Sequence, residues 1–156
     1  MQVALTKKLV LLDVQAKNQE DVLRYAASRL EDEGFVKPSY KEAVIAREKV
    51  FATGLPTVMG GVAIPHTDGE HVIQSAILIA KLHEPVSFRV MGDTEASIPV
   101  DCIFMLAMKE AHAQLELLQN LMGILQDASA LRKVKQGTSA EEIATFVRQR
   151  LAQERI

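Results

Sequence analysis

The 156-residue sequence contains a single cysteine, Cys102. One cysteine cannot form an internal disulfide, which favours a reducing compartment, and we therefore expect a cytoplasmic location. Cys102 begins an apolar run, so we predict a buried and inert thiol.

The sequence also lacks a long hydrophobic run and an excess of charge of one sign. Its longest apolar run, Cys102–Met108, is much shorter than the roughly 20 residues of a membrane helix. Met1–Lys8 alternates polar and apolar residues, unlike the basic-then-apolar order of a signal peptide. The 18 basic and 20 acidic residues give a net charge of -2, which provides no general attraction for nucleic acid. We therefore predict no membrane insertion and no nucleic-acid partner.

Glycine-rich nucleotide-binding motifs are missing as well. The sequence has no Walker loop and no dinucleotide fingerprint, and Met59-Gly60-Gly61 is too short for either. We predict no cofactor, so any phosphoryl group would have to come from another protein. No repeat and no linker-like stretch interrupts the chain, and we predict one domain over residues 1–156.

What the sequence does contain is an alternation of short apolar runs and amphipathic segments. This order predicts an α/β or mixed α+β domain in which helices cover a sheet. The predicted strands are Leu9–Val14, Ser75–Leu82 and Val100–Met108, with an edge strand at Val86–Val90; the predicted helices include Ser39–Lys49, Ala128–Gln136 and Ser139–Leu151, with others around Val22–Leu30 and Leu115–Leu125.

Helix-ending residues support these boundaries. Three glycines and a proline between Phe51 and Gly61 predict an irregular loop. The predicted capping residues are Asn18 and Gly34 for the first helix, Ser39 with Glu42 for the second, and Ser139 with Glu142 for the last.

Among four histidines, His66 has a distinctive context. It follows the run Val62–Ile64 and Pro65, which fixes the backbone, and a polar turn comes after it. A neutral imidazole at a strand end next to solvent can act as a nucleophile near pH 7. The alternative is a histidine that merely ends a strand, which is the commoner role of a lone histidine.

Arg47 and Thr53 are the next candidates. A guanidinium can bind two oxygens of a phosphate or a carboxylate at once and stays charged, although Arg47 could also pair with Glu42 or Glu48 on its own helix. The Thr53 hydroxyl could donate to a phosphoryl oxygen, or Thr53 could begin the turn that Gly54 continues.

A metal site is a weaker alternative. His66, Asp68 and His71 offer imidazole and carboxylate ligands within six residues, but their spacing matches no established motif. We predict no bound metal. His83 and His112 are expected at the surface.

The segments Ala46–Leu55 and Gly61–His66 resemble the fructose/mannitol-type enzyme IIA of the bacterial sugar phosphotransferase system. Their shared features are an Arg-Glu helix end, a Thr-Gly turn and a Gly-x-Ala-Ile-Pro-His strand end, with a Leu-rich helix farther on. The resemblance extends from the first helix to the last.

This resemblance implies a mixed sheet sandwiched by helices, and it implies specific roles. His66 would accept a phosphoryl group from the phosphocarrier protein HPr and pass it to a cysteine of a IIB component, while Arg47 would stabilise the phosphoryl oxygens. The chain would then be a phosphotransferase that works through a phosphohistidine.

Two departures from the mannitol type point to the galactitol-specific branch. Where mannitol-type members carry a second histidine before the Leu of the long helix, this sequence has Gln114, with His112 two residues earlier. The stretch from Thr53 to His66 is also longer. We favour Gln114 as the second site residue and keep His112 as the alternative, because residues two apart do not share a helix face.

Three other functions remain open at this point. A regulatory protein of the nitrogen-related phosphotransferase branch would keep the histidine and act by binding partners. A non-catalytic scaffold would keep the fold alone. A hydrolase at His66, Asp68 and His71 would require a metal.

Overall fold

The computed structural model describes residues 3–93 and 95–153. In that part of the chain, strands and helices alternate, with short 3-10 turns at Lys7–Leu9 and Gly69–His71. The strands are β1 (Val10–Val14), β2 (Gly54–Thr57), β3 (Gly60–Ala63), β4 (Ala76–Arg89) and β5 (Ser97–Ala107); the helices are α1 (Gln19–Asp32), α2 (Ser39–Val50), α3 (Ala111–Leu125), α4 (Ala128–Gln136) and α5 (Ala140–Gln153).

The five strands form one mixed sheet in the order β1-β4-β5-β3-β2. β1 runs parallel to β4 and β3 parallel to β5, whereas the β4–β5 and β2–β3 pairs are antiparallel. Ala76–Ala80 and Cys102–Ala107 are buried throughout. Since successive strand side chains point to opposite faces, both faces of the sheet are covered. The predicted α/β fold with helices on both sides is confirmed.

The helices form two packed groups around this sheet. α1 packs against α2, and α3, α4 and α5 pack against one another. Cys102 lies in the central strand β5 and is 1% exposed. Burial raises the pKa of its thiol to about 12, so the predicted buried thiol is confirmed and stays protonated near neutral pH.

Several predicted helix ends are confirmed. The Asn18 side chain accepts a hydrogen bond from the Asp21 N–H at 2.9 Å at the start of α1. Gly34 follows α1 with φ of 85°, a conformation that glycine adopts without a steric penalty. The Glu142 N–H donates to Ser139 Oγ at 3.2 Å at the start of α5.

The predicted cap of α2 is wrong. Pro38 occupies the cap position with helical backbone angles, so Ser39 already lies in the first helical turn. The Ser39 hydroxyl instead bonds Nδ1 of His71 at 2.8 Å. The second helix therefore begins where predicted but without the side-chain cap.

The predicted irregular loop at 51–61 is also wrong. Gly54–Thr57 and Gly60–Ala63 pair as an antiparallel hairpin, from Gly54 opposite Ala63 to Thr57 opposite Gly60. Proline is compatible with this hairpin because β2 is the outermost strand, where a missing N–H costs no ladder bond.

The separate edge strand predicted at 86–90 is not an independent element. β4 runs without a break from Ala76 to Arg89, and Val86–Arg89 pair with Val100–Ser97 of β5. A register shift between Lys81 and Val86 accommodates the Glu84-Pro85 dipeptide within the strand.

Within the ranges described, no helix has both the length and the apolar composition that crossing a membrane requires.

Candidate functional site

His66 lies just beyond β3 and is held against the end of β5. The Pro65 carbonyl accepts a hydrogen bond from the Leu106 N–H at 2.9 Å, and His66 itself forms a parallel bridge with Leu106. The turn after His66 packs tightly on the segment that leads from β5 to α3, because a Cβ at Gly69 would lie 2.0 Å from the Lys109 carbonyl oxygen. Backbone contacts therefore fix the strand end on both sides of the histidine.

The ring orientation of His66 determines which nitrogen is available. Nδ1 lies 2.8 Å from the Ile64 carbonyl oxygen. A carbonyl oxygen can only accept, so Nδ1 carries the hydrogen and Nε2 keeps its lone pair. Partial burial is the main cause that lowers the pKa of His66 below its ordinary value of 6.5, and Arg47 acts in the same direction. The ring is thus neutral at pH 7, with a free lone pair on Nε2.

Arg47 stands near this ring at the end of α2. Its Nη2 donates to Asp68 Oδ1 at 2.7 Å, and its guanidinium lies 5.8 Å from the centre of the Phe51 ring. Asp68 comes two residues after His66, so the ion pair spans the side of the site that faces solvent. Glu42, one of the partners considered for Arg47, pairs with Arg24 on α1 instead.

α2 is anchored at this end of the sheet by a buried tyrosine. Tyr40 is fully buried and its hydroxyl donates to the Leu106 carbonyl oxygen at 2.7 Å. Leu106 is also the residue that bridges His66. The same point of β5 therefore positions both the helix that carries Arg47 and the strand end that carries His66.

Thr53 and Glu48 lie beneath the site rather than at its surface. Thr53 is 4% exposed, and its hydroxyl donates to Glu48 Oε1 at 2.8 Å. Its hydroxyl oxygen also accepts a hydrogen bond from the Ile64 N–H at 3.2 Å. The single hydroxyl hydrogen of Thr53 is thus already used, and its contacts connect it to the His66 strand end.

Glu48, which the sequence offers only as a partner for Arg47, is bonded to Thr53 instead. It is 2% exposed and points into the core beside Thr53. A signal was present: Glu48 follows Val44 and Ile45 by four and three residues, which places it on the buried face of α2. An acidic residue at such a position indicates a buried hydrogen-bond network.

The first turn of α3 brings the two remaining candidates near the loop that follows β5. His112 is exposed, whereas Gln114 is half-buried. Gln114 Oε1 is buried and has no hydrogen-bond partner among the residues described. Oε1 can only accept, so this unused capacity suits a hydrogen-bond donor and not a phosphoryl oxygen; a contact of Gln114 with a phosphoryl group would have to come from its amide N–H groups.

The residues of the metal alternative have other partners. Asp68 pairs with Arg47, and Nδ1 of His71 lies 2.8 Å from Ser39 Oγ. Over residues 3–93 and 95–153, no three His, Cys, Asp or Glu side chains are grouped so that they could hold a metal ion. The geometry gives no support to the metal-dependent hydrolase.

Comparison with known proteins gives relatives among sugar phosphotransferase components and also a regulator, the transcriptional regulator ManR of Bacillus subtilis, which is 29% identical over 144 residues that cover 91% of this chain and 20% of that protein. Residues 4–150 match the family model described as "Phosphoenolpyruvate-dependent sugar phosphotransferase system, EIIA 2". The mannitol-specific EIICBA component of Pasteurella multocida is 31% identical over 147 residues, which cover 92% of this chain and 22% of that protein. The galactitol-specific EIIA component of Escherichia coli K12 is 29% identical over 122 residues, 78% of this chain and 81% of the relative. The chain thus spans about a fifth of the mannitol-specific relative.

A solved structure has the same fold. The complex of enzyme IIAMtl and phosphorylated enzyme IIBMtl from Escherichia coli contains a chain that superposes with a TM-score of 0.74 at 23% identity, covering 97% of this chain and 99% of that one. The family match extends over nearly all of the sequence and includes the His66 and Arg47 segments. The chain belongs to the EIIA type 2 family of the phosphoenolpyruvate-dependent sugar phosphotransferase system.

Proposed function

We propose that the chain is a phosphocarrier of the phosphotransferase system, in which Nε2 of His66 accepts a phosphoryl group from phosphorylated HPr and passes it to a IIB component. The observation that carries the proposal is the bond between Nδ1 and the Ile64 carbonyl at 2.8 Å, which leaves Nε2 as a neutral nucleophile beside Arg47. The Nε2–P bond forms as the bond from phosphorus to the donor breaks. Nδ1 keeps its hydrogen, which helps the ring bear the positive charge that develops.

The charge of the transferred group determines the roles of the neighbouring residues. Phosphoryl transfer spreads negative charge over three oxygens, and a fixed guanidinium stabilises that charge. Arg47 is this group, and it must exchange Asp68 for phosphoryl oxygens during the reaction. Gln114 is favoured over His112 as the second polar contact because its side chain is half-buried and His112 is exposed. The P–N bond is labile, so the group can be handed on.

Exposed apolar side chains suit docking of a protein donor and acceptor. Phe51 is 66% and Val58 is 80% exposed, and Leu115 on α3 is 55% exposed. Leu55 and Met59, on the same hairpin as Val58, are half-buried and pack against the core. The proposed docking residues are therefore Phe51, which lies against the Arg47 guanidinium, and Leu115, which follows Gln114 on α3, whereas Val58 lies at the tip of the β2–β3 hairpin that is farther from His66.

We further propose that residues 1–156 act as one EIIA domain in the cytoplasm and serve the uptake of galactitol or a related polyol. The unpaired, buried Cys102 supports a reducing compartment. The galactitol-specific relative, of which this chain covers 81%, supports a polyol system. The regulatory alternative keeps the same chemistry at His66 and differs in the protein that receives the signal.

The test is intact-protein mass after incubation with phosphoenolpyruvate, enzyme I and HPr. The wild type should gain one acid-labile phosphoryl group, and His66→Ala should gain none while it stays folded. His83→Ala is the matched control, because His83 is exposed and pairs with Asp13. Acceptance by His66→Ala at the wild-type level would refute the assignment. Addition of a purified IIB component then separates transport from regulation, since a transport component must lose its phosphoryl group to IIB.

A further inference from the structure

Glu48 is a buried carboxyl group that the proposed phosphoryl transfer does not use directly. Both of its oxygens accept hydrogen bonds from one residue: Oε2 from the Thr53 N–H at 2.7 Å and Oε1 from the Thr53 hydroxyl at 2.8 Å. Burying a carboxyl group is unfavourable unless its oxygens are satisfied. The two bonds fix the start of β2 to the last turn of α2.

The hydrogen-bonded chain continues from Thr53 to the histidine. The Ile64 N–H donates to Thr53 Oγ1 at 3.2 Å, with the Thr53 carbonyl oxygen at 3.4 Å. On its other side, the Ile64 carbonyl accepts from His66 Nδ1 at 2.8 Å. All three residues of this series are buried: Glu48 is 2% exposed, Thr53 is 4% exposed and Ile64 is 2% exposed. Solvent therefore does not interrupt the series of hydrogen bonds.

Each link in this chain has a defined direction. The Thr53 hydroxyl has one hydrogen and gives it to Glu48, which leaves its lone pairs for the Ile64 N–H. Pro65 restricts the backbone on the far side of Ile64, so a fixed Ile64 also fixes the direction of its carbonyl. That carbonyl determines which nitrogen of His66 carries the hydrogen.

We propose that Glu48 and Thr53 are positioning residues for phosphoryl transfer, which hold Ile64 so that its carbonyl keeps Nδ1 of His66 protonated and Nε2 free. The inference rests on the proposed function of His66. It gives two successive residues of α2 separate tasks, since Arg47 faces the phosphoryl group and Glu48 holds the strand end from below.

The first experiment measures the tautomer of His66 directly. Imidazole nitrogen chemical shifts of the 15N-labelled protein distinguish a hydrogen on Nδ1 from one on Nε2. The wild type should show His66 almost entirely in the Nδ1–H form. Thr53→Val, which keeps the shape and removes the hydroxyl, should give a mixture of tautomers, and Thr53→Ser should restore the wild-type spectrum.

The second experiment measures phosphoryl transfer from phosphorylated HPr. Thr53→Val and Glu48→Ala should lower the maximal rate about tenfold, because small misplacements of a reacting group have effects of that order. The KM for HPr should stay at the wild-type value, and Thr53→Ser should recover the rate. Thr145→Val on α5 and Glu42→Ala on the exposed side of α2 are matched controls.

The outcomes separate the two proposals. If the wild type accepts no phosphoryl group, the proposed function fails and the positioning roles fail with it. If the wild type accepts one, but Thr53→Val has the wild-type tautomer and rate, the positioning proposal alone is overturned. Should Glu48→Ala not fold, the Thr53→Val and Thr53→Ser pair still decides the question.

Discussion

Asp68 accepts a hydrogen bond from Arg47 Nη2 at 2.7 Å, two residues beyond the histidine that we assign as nucleophile. The Asp68 carboxylate accepts from the Arg47 guanidinium, which is the group that we propose for binding the phosphoryl oxygens. The side chain of Asp68 is 59% exposed, so it can move away into water at little cost. The unphosphorylated site thus holds its own anionic competitor for Arg47.

Replacing Asp68 with Asn should favour phosphorylation of the chain. The neutral amide competes less for Arg47, and removal of an Asp68 charge that raises the pKa of His66 also favours the neutral ring. An exposed ion pair contributes up to about 1 kcal/mol, so we expect the phosphorylation equilibrium with HPr to shift by up to about fivefold toward this chain. The measurement is the ratio of the two phosphoproteins at equilibrium.

Asp13→Asn serves as the control for that comparison, since Asp13 forms an exposed pair with His83 at 2.9 Å. A lower level of phosphorylation in Asp68→Asn would contradict the competitor role. It would instead mean that Asp68 holds Arg47 in its productive position.

Arg47→Lys should slow phosphoryl acceptance although the positive charge is kept. Lysine lacks the planar fork that binds two oxygens, and loss of one charge-assisted hydrogen bond corresponds to a decrease of about tenfold or more in rate. Single-turnover transfer from phosphorylated HPr provides the measurement. Arg24→Lys is the matched control, because Arg24 pairs with Glu42 and Glu20 on the helix surface. Equal rates for Arg47→Lys and the wild type would show that the guanidinium of Arg47 does not stabilise the phosphoryl oxygens by binding two of them.

His66 should titrate at a lower pH than an ordinary histidine. Burial and the charge of Arg47 both disfavour the imidazolium and lower its pKa from 6.5. The neutral, nucleophilic form should therefore persist below pH 6.5. Nuclear magnetic resonance titration of the His66 ring measures the midpoint. Arg47→Gln should raise it and Arg24→Gln should leave it unchanged; a wild-type midpoint above 6.5 would mean that burial does not control the pKa of His66.

Glu48 should make the stability of the fold depend on pH. Burial raises its pKa from 4.5 to about 7, against the opposing effects of the Thr53 hydrogen bonds and of Arg89. Between these values the folded state holds a proton that the unfolded state has released, so the contribution to stability is present at low pH and is lost as pH rises toward 7. The difference between the pKa of Glu48 in the unfolded state and in the folded state corresponds to a decrease of roughly 3 kcal/mol in the free energy of unfolding between pH 4.5 and 7.

Glu48→Gln removes this titration and isolates it from other groups. The free energy of unfolding of the wild type, relative to Glu48→Gln, should fall from pH 4.5 to 7 in urea titrations. Glu42→Gln is a control in which the pH dependence should have the opposite direction. Arg24 lowers the pKa of Glu42, so the contribution of Glu42 to the free energy of unfolding is lost as pH falls. Parallel curves for the wild type and Glu48→Gln would show that Glu48 does not titrate in this range.

The sequence was sufficient for the elements that have a strong local signal. Periodic apolar residues and caps such as Asn18 and Ser139 located helices, because these signals act within one or two turns. The order of helices and strands predicted the fold class. The Arg47 and His66 segments carried the family resemblance, which the family match confirms.

The elements that were predicted wrongly depend on long-range pairing. β2 contains a glycine and a proline and β3 begins with Gly60 and Gly61, so this part of the hairpin lacks the apolar pattern that marks a strand, whereas Val62 and Ala63 belong to the run already predicted to end at His66. The ladder of β2 and β3 becomes favourable only because β5 pairs with β3. The continuity of β4 through Pro85 likewise depends on its antiparallel partner β5, with a register shift at the proline.

By itself, the sequence determined the helices, the buried central strands and the strand end that carries His66, because each depends on neighbours within a few residues. Only the tertiary structure decided that Asp68 pairs with Arg47, that Thr53 binds Glu48, and that Nδ1 rather than Nε2 of His66 bears the hydrogen. The physical reason is that hydrogen bonds and ion pairs select partners by distance and direction in space, which sequence spacing does not specify.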